Sequence, residues 1–239
     1  SDELLGMAVG KMLELSEQGI KQSFSTLSEA LSEAYDRIDA RTQGQHSNSS
    51  VPTGFTALDA ITSGFHNNEL VIIAARPSVG KTAFVLNIIR HAILESRAGV
   101  LFSSLEQSKI EIAERLMCAH ARVDSHKLRK GALSADEMNL LVQAGGELSQ
   151  APLFIDDSPT QSMLRIAANA RRLKKQYNIR LVAIDYLQLI EPENRRDPRQ
   201  EQVAQISRRL KALARELQIP VVSLAQVNRS SEDRQDHRP

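Results

Sequence analysis

At 239 residues, with 41% hydrophobic and 25% charged side chains, the chain can bury the core of one α/β domain with something smaller beside it, taking about 150 residues per domain. The 30 Lys and Arg against 29 Asp and Glu leave a net charge of +1, which excludes a global field for nucleic acid or a membrane surface and makes any basic site a local one. The single Cys118 excludes a disulfide framework, and no apolar run approaches the roughly 18 residues of a membrane span.

The opening Ser-Asp-Glu lacks the basic n-region of a secretory signal, so a protein of the reducing cytoplasm is expected, without a membrane partner. Residues 4–20 place Leu5, Val9, Met12, Leu13 and Ile20 at helical spacing, but Gly6, Gly10 and Gly19 each cost about 1 kcal/mol of helicity relative to Ala. Such a helix needs a partner surface. A second helix is predicted to start at Thr26, where Thr26-x-x-Glu29 forms a capping box, and Leu27, Leu31, Ala34 and Ile38 line one stripe. Residues 42–50 contain no apolar side chain and read as a flexible tether. Residues 1–50 are therefore an appendage of linker helix, second helix and tether, and residues 51–239 the main domain.

From Val51 strands and helices alternate, the signature of a parallel sheet with crossover helices. Strands are predicted at 70–75, 99–104, 152–156, 180–186 and 220–225, and helices at 83–96, 108–121, 134–149, 162–177 and 200–218. The run at 70–75, Leu-Val-Ile-Ile-Ala-Ala, has the unbroken apolar character of a strand buried on both faces. Cys118 falls among Ile112, Ala113, Leu116 and Met117 and reads as a packing residue.

Ligands of such sheets sit beyond the carboxyl ends of the strands. After the first strand, Ala75-Arg76-Pro77-Ser78-Val79-Gly80-Lys81-Thr82 fits G-x-x-x-x-G-K-[ST] at every fixed position but the first. Backbone N–H groups within residues 76–83, of which Pro77 has none, can curl around phosphates, ending with Ala83 at a helix start. Lys81 would neutralise the β and γ oxygens of ATP, and the Thr82 hydroxyl would ligate Mg²⁺. Asp185 closes the apolar strand at 180–186, where a carboxylate is costly without a cation or a hydrogen-bond network, and it would hold the same ion through water. Glu106, after Ser103-Ser104-Leu105, is the candidate general base for a water in line with the γ-phosphate; a glutamate opening the next helix is the competing reading. Asp156 and Asp157, followed by Ser158-Pro159, read as cap and turn residues. Gln226 closes the last strand, where its amide could contact the γ-phosphate or the attacking water; a buried amide satisfied by backbone is the alternative. Arg195, Arg196 and Arg199 lie on a loop that could neutralise the phosphates of single-stranded DNA, diluted by Asp197 and Glu201.

Together, Pro-Thr-Gly-Phe-Thr-x-Leu-Asp (52–59), Thr-Ser-Gly-Phe (62–65), Ala-Arg-Pro-Ser-Val-Gly-Lys-Thr-Ala-Phe (75–84), Phe-Ser-x-Leu-Glu (102–106), Ile-Asp-Tyr-Leu-Gln-Leu-Ile (184–190) and Arg-Gln-Asp-x-Arg-Pro (234–239) resemble the bacterial replicative helicase family of DnaB. The resemblance covers nearly the whole chain. It implies a RecA-like parallel sheet flanked by helices, preceded by a short helical linker that docks on a neighbouring subunit to build a homo-hexamer. It also implies an ATP-driven, nucleoid-associated helicase that moves on single-stranded DNA in the bacterial cytoplasm, with primase and a helicase loader as partners of the full-length family protein in the primosome. Glu106, Asp185 and Gln226 inherit from it the roles argued above, and the loop around Arg195 to Arg199 a place facing the central channel. In the family a second DNA-contacting loop and a basic finger follow the segment that ends here at Pro239. Residues 228–239, lacking any apolar side chain, could not close a domain. Two other readings remain at this point: a RecA-like ATPase that assembles or signals without moving along DNA, and an oligomerisation module.

Overall fold

The computed structural model describes residues 26–42 and 50–227. The helix expected over 4–20, most of the tether and the polar segment 228–239 lie outside the described residues. The chain divides into two compact units, 1–47 and 48–239. The first unit contains α1 (Leu27–Thr42), whose start bears out the capping box: Thr26 N–H donates to Glu29 Oε2 at 2.8 Å and Glu29 N–H to Thr26 Oγ1 at 3.3 Å.

The second unit begins with β1 (Ser50–Val51), α2 (Thr56–Thr62) and β2 (Phe65–His66), with β1 and β2 antiparallel. These pieces are too short to persist alone. One carboxylate gathers them: Asp59 accepts from Thr53 N–H at 2.9 Å, Thr53 Oγ1 at 2.8 Å and Gly54 N–H at 3.0 Å. Gly54 has φ +79°, and a Cβ there would lie 2.5 Å from the His91 ring, so the motif at 52–59 demands glycine on both counts.

The five-stranded sheet that follows is wholly parallel. Its strands are β3 (Leu70–Ala75), β4 (Val100–Ser104), β5 (Leu153–Asp156), β6 (Leu181–Asp185) and β7 (Val221–Gln226), in the order β3-β7-β6-β4-β5. The crossovers are α3 (Lys81–Leu94), α4 (Lys109–Ala121), α5 (Ser125–Lys130), α6 (Ala135–Ser149), α7 (Met163–Tyr177) and α8 (Arg199–Leu217). All five expected strands and all five expected crossover helices of this domain are present, with ends shifted by a residue or two. The short elements α2, α5, β1 and β2 carry no periodicity long enough to announce them.

Alternation along the strands divides the core in two. Leu101, Val182, Ile184 and Val221 pack with α7 and α8, whereas Val100, Phe102, Leu181, Ala183, Val222 and Leu224 pack with α3 and α4. By the same parity Asp185 and Ser104 fall on the α3 side. Cys118, Val123 and Leu141 form a satellite cluster beneath α4 to α6, with burial pushing the Cys118 thiol pKa up; the packing role expected for this cysteine holds.

One expectation is overturned. β3 is an edge strand, with Ile72 44% exposed, and is not buried on both faces. An apolar run looks the same in sequence whether the sheet covers it on one side or both; the doubly covered strands here are β4, β6 and β7. A second irregularity is Ser103, 1% exposed on the α7 and α8 side, whose Oγ has no hydrogen-bond partner. An unsatisfied buried hydroxyl costs about 1–3 kcal/mol. Ser103→Ala is therefore expected to stabilise the domain by about 1 kcal/mol, raising Tm by about 2–4 °C in a melting experiment. A lower Tm would mean that the hydroxyl is satisfied in solution.

Candidate active site

The carboxyl ends of four strands converge because their parallel registers are level: Ala75 stands opposite Gln226, and Ser104 opposite Asp185. The chain leaves β3 at Ala75, turns through residues 76–80 and enters α3 at Lys81. Two residues of the turn have positive φ, Ser78 at 62° and Gly80 at 101°. A Cβ on Gly80 would meet nothing within 4 Å, so its backbone conformation, rather than crowding, calls for glycine. The N-terminal N–H groups of α3 have no side-chain cap, and residues 76–80 lie exposed at that helix end. This is the geometry in which backbone amides and a helix dipole meet an anion.

Lys81 Nζ donates to the Ala75 carbonyl at 3.2 Å and sits 5.7 Å from the centre of the Tyr186 ring. The next residue, Thr82, donates its hydroxyl to Asp185 Oδ2 at 2.7 Å, joining the start of α3 to the end of β6 across 103 residues of sequence. Asp185 is 1% exposed. Burial raises its pKa above the ordinary carboxylate value, and the Glu106 charge adds to the rise, against the lowering effects of the Thr82 hydroxyl and Lys81. The peptide bond from Asp185 to Tyr186 is cis.

Glu106 is exposed on a tight turn after β4. Ser104 braces that turn, donating from Oγ to the Gln107 carbonyl at 2.6 Å and accepting from Gln107 N–H at 3.2 Å, while Leu105 N–H donates to the Asp185 carbonyl at 2.8 Å. Helix α4 opens later, at Ser108, with Glu111 as the reciprocal partner of its capping box. Glu106 is thus two residues before the N-cap, and the helix-opening role that competed for it falls to Glu111. Asp156 and Asp157 do cap and turn: Asp156 accepts from Ser158 N–H at 3.1 Å, and Asp157 from Lys109 N–H at 2.9 Å.

Gln226 is exposed at the end of β7, not a buried amide. The three loop arginines divide. Arg195 is ion-paired with Glu191, and Arg199 donates to the Gln188 carbonyl and to Gln202 Oε1. Among the described residues the Arg196 guanidinium alone of the three has no partner. These engagements depend on how residues 186–202 fold back on themselves, which no spacing rule would reveal. No group of three or more His, Cys, Asp or Glu side chains is arranged to hold a metal ion among the described residues. None of the described helices is long and apolar enough to cross a membrane.

Comparison with known proteins gives a family match over residues 50–239, to the DnaB-like helicase C terminal domain. The chain is 42% identical over 239 residues to the replicative DNA helicase DnaB of Geobacillus stearothermophilus and 40% identical to the replicative DNA helicase DnaC of Bacillus subtilis. Each alignment takes in 100% of this chain and 53% of the relative, so the chain spans about half the length of the curated relatives it matches. Among solved structures, one ATPase domain superposes with a TM-score of 0.81 at 37% identity, covering 91% of this chain and 76% of that one. A DnaB-like replicative helicase, described with its interactions with primase, superposes with a TM-score of 0.79 at 36% identity, covering 97% of this chain and 55% of that one. The fold expected from sequence, a RecA-like parallel sheet flanked by helices, is the fold of these neighbours.

The buried charge on Asp185 makes a prediction of its own. Asp185→Asn keeps an oxygen to accept from Thr82 and removes an ion whose burial is unfavourable. The nucleotide-free variant is expected to melt at or above the parent temperature near neutral pH. A fall of several degrees would show that the carboxylate charge is already balanced within the protein.

Proposed function

We propose, since the chain belongs to the family of DnaB-like helicase C-terminal domains, that it is the ATP-hydrolysing motor of a replicative DNA helicase, working as a hexamer that translocates on single-stranded DNA in the bacterial cytoplasm. The observation that carries this reading is the Thr82 to Asp185 hydrogen bond at 2.7 Å beside the uncapped start of α3, which joins a phosphate-binding turn to a buried carboxylate.

The residues divide the work by position. Backbone N–H groups within residues 76–83, of which Pro77 has none, receive the phosphates, and Lys81 leaves the Ala75 carbonyl to face the β and γ oxygens. The donor set suits Mg²⁺, a hard cation that takes few protein oxygens, through Thr82 Oγ1 directly and Asp185 through water. Bound there, Mg²⁺ would offset charge on the β and γ oxygens. Glu106, presented by the braced turn after β4, orients a water in line with the γ-phosphorus and takes its proton as the oxygen attacks and the bond to the bridging β–γ oxygen breaks. Gln226, at the end of β7, contacts the γ-phosphate or that water on this reading.

Single-stranded DNA is the proposed track, with Arg196, whose guanidinium has no partner among the described residues, the loop cation to meet a backbone phosphate. An appendage helix docked on the neighbouring subunit would repeat around a closed ring and hold the hexamer together. Primase and a helicase loader are the proposed partners of the whole protein.

ATP hydrolysis and strand separation, measured side by side on the full-length protein, test this reading. Glu106→Gln is expected to keep the thermal shift given by ATP with Mg²⁺ and to turn over about a hundredfold more slowly. Lys81→Ala is expected to lose both. Turnover that survives either change would remove that residue from its role, and hydrolysis without strand separation would leave an ATPase that does not translocate.

A further inference from the structure

Gln188 takes no part in the chemistry above, yet its position joins the two regions that the proposed function would have to connect. It lies in the 3₁₀ turn Leu187–Leu189, directly after β6. The direct pairing of β6 with β7 stops at Ile184 opposite Ser223. Beyond that point the Gln188 side chain stands in for a strand: Nε2 donates to the Gln226 carbonyl at 2.9 Å, and Oε1 accepts from Gln226 N–H at 3.2 Å. A side-chain amide thereby holds both main-chain groups of the last residue of β7. On its other side the same stretch is held by β3, with Ala75 opposite Gln226 and Val227 N–H donating to the Ala75 carbonyl at 3.2 Å. That carbonyl is also the one on which Lys81 rests.

From Gln188 the hydrogen bonds continue outward. Its own carbonyl accepts from Arg199, whose Nη1 donates to Gln202 Oε1 at 3.0 Å. Gln202, 8% exposed, donates from Nε2 to the Asp197 carbonyl at 2.8 Å and to the Arg195 carbonyl at 3.4 Å. An unbroken series therefore runs from the phosphate-binding turn, through the end of β7, to the backbone on either side of Arg196. Each member is a directed polar contact, so displacement at one end must either carry the other end with it or leave donors and acceptors unpaired.

We infer that Gln188 is the positioning residue that makes the grip of the arginine loop on a polyanionic strand depend on the nucleotide held at the phosphate-binding turn. The inference rests on the proposed function for both ends of the series. Gln188 touches neither nucleotide nor strand; it fixes the distance and register between the elements that do. Arg199, expected from sequence to meet phosphate, is on this account an internal strut of the loop.

The test is the ratio of affinities of the full-length protein for a fluorescent oligo-dT, measured with a non-hydrolysable ATP analogue and Mg²⁺ and again with ADP and Mg²⁺. The parent is expected to show a ratio of at least about fivefold, the lower end of common coupling strengths. Gln188→Leu, which removes both hydrogen bonds to Gln226, should retain affinity for ADP with Mg²⁺ within about twofold while the ratio collapses towards one. Arg199→Met breaks the next link and should collapse it equally; a lost phosphate contact would lower both affinities alike and leave the ratio unchanged. The double variant should be no worse than either single one, because the two links act in series. If Gln188→Leu does not fold, Arg199→Met alone decides the matter. A parental ratio retained in a folded variant overturns the relay and leaves the proposed function standing; a parent whose oligo-dT affinity ignores the nucleotide overturns both.

Discussion

Everything at the carboxyl edge of this sheet is arranged about one buried carboxylate. Asp185 sits almost out of reach of solvent at the end of β6, with the Thr82 hydroxyl against it and the Glu106 charge close enough to work against its ionisation. A protein interior tolerates such a group only where something compensates it. Among the described residues the compensation comes from the Thr82 hydroxyl, in the first turn of α3, and from the Lys81 charge beside it; the hydroxyl bond fixes how that helix starts and hence where the preceding turn must lie. The parallel register does the rest. It brings Ser104 level with Asp185 and Ala75 level with Gln226, so the turn bearing Glu106, the turn at residues 76–80 and the end of β7 share one rim.

The parts of this rim that chemistry spaces rigidly could be read from sequence. A turn that must present several N–H groups and then a cation needs its glycine and lysine at fixed offsets, which is why residues 76–83 stood out. Asp185 stood out because a charged residue closing Leu-Val-Ala-Ile is hard to explain by packing alone. The rest depends on tertiary closure. The run at 70–75 reads as buried on both faces because an apolar run does not record how many neighbours its strand has. The six- and seven-residue helices α5 and α2 are too short to show a period, and the latter is assembled by Asp59 from donors on Thr53 and Gly54.

The arginine loop shows the limit from the other side. Counting charges gave three equivalent cations, and the fold makes them unlike: one paired with Glu191, one bonded into the turn after β6, and one left outward. Composition cannot distinguish them because the deciding partners, the Glu191 carboxylate, the Gln188 carbonyl and the Gln202 side chain, are brought to them only by the way the chain folds back. The same holds for Glu106, whose turn is braced by Ser104 through contacts with Gln107 that no motif encodes.

The latch around Asp59 bears on how the domain meets mechanical load. Ser50 enters the fold with its carbonyl held by Arg180 Nη2 at 2.9 Å, Gly54 lies against His91, and the Phe55 ring stacks 4.7 Å from Phe84. Both His91 and Phe84 belong to α3. Tension applied along the chain at its entrance would thus be shared between the base of β6, through Arg180, and α3, the helix that follows the turn at residues 76–80. The sheet would feel such a pull only after these side-chain clasps had yielded, so the entrance strand is a handle attached to α3 and the rim of the sheet.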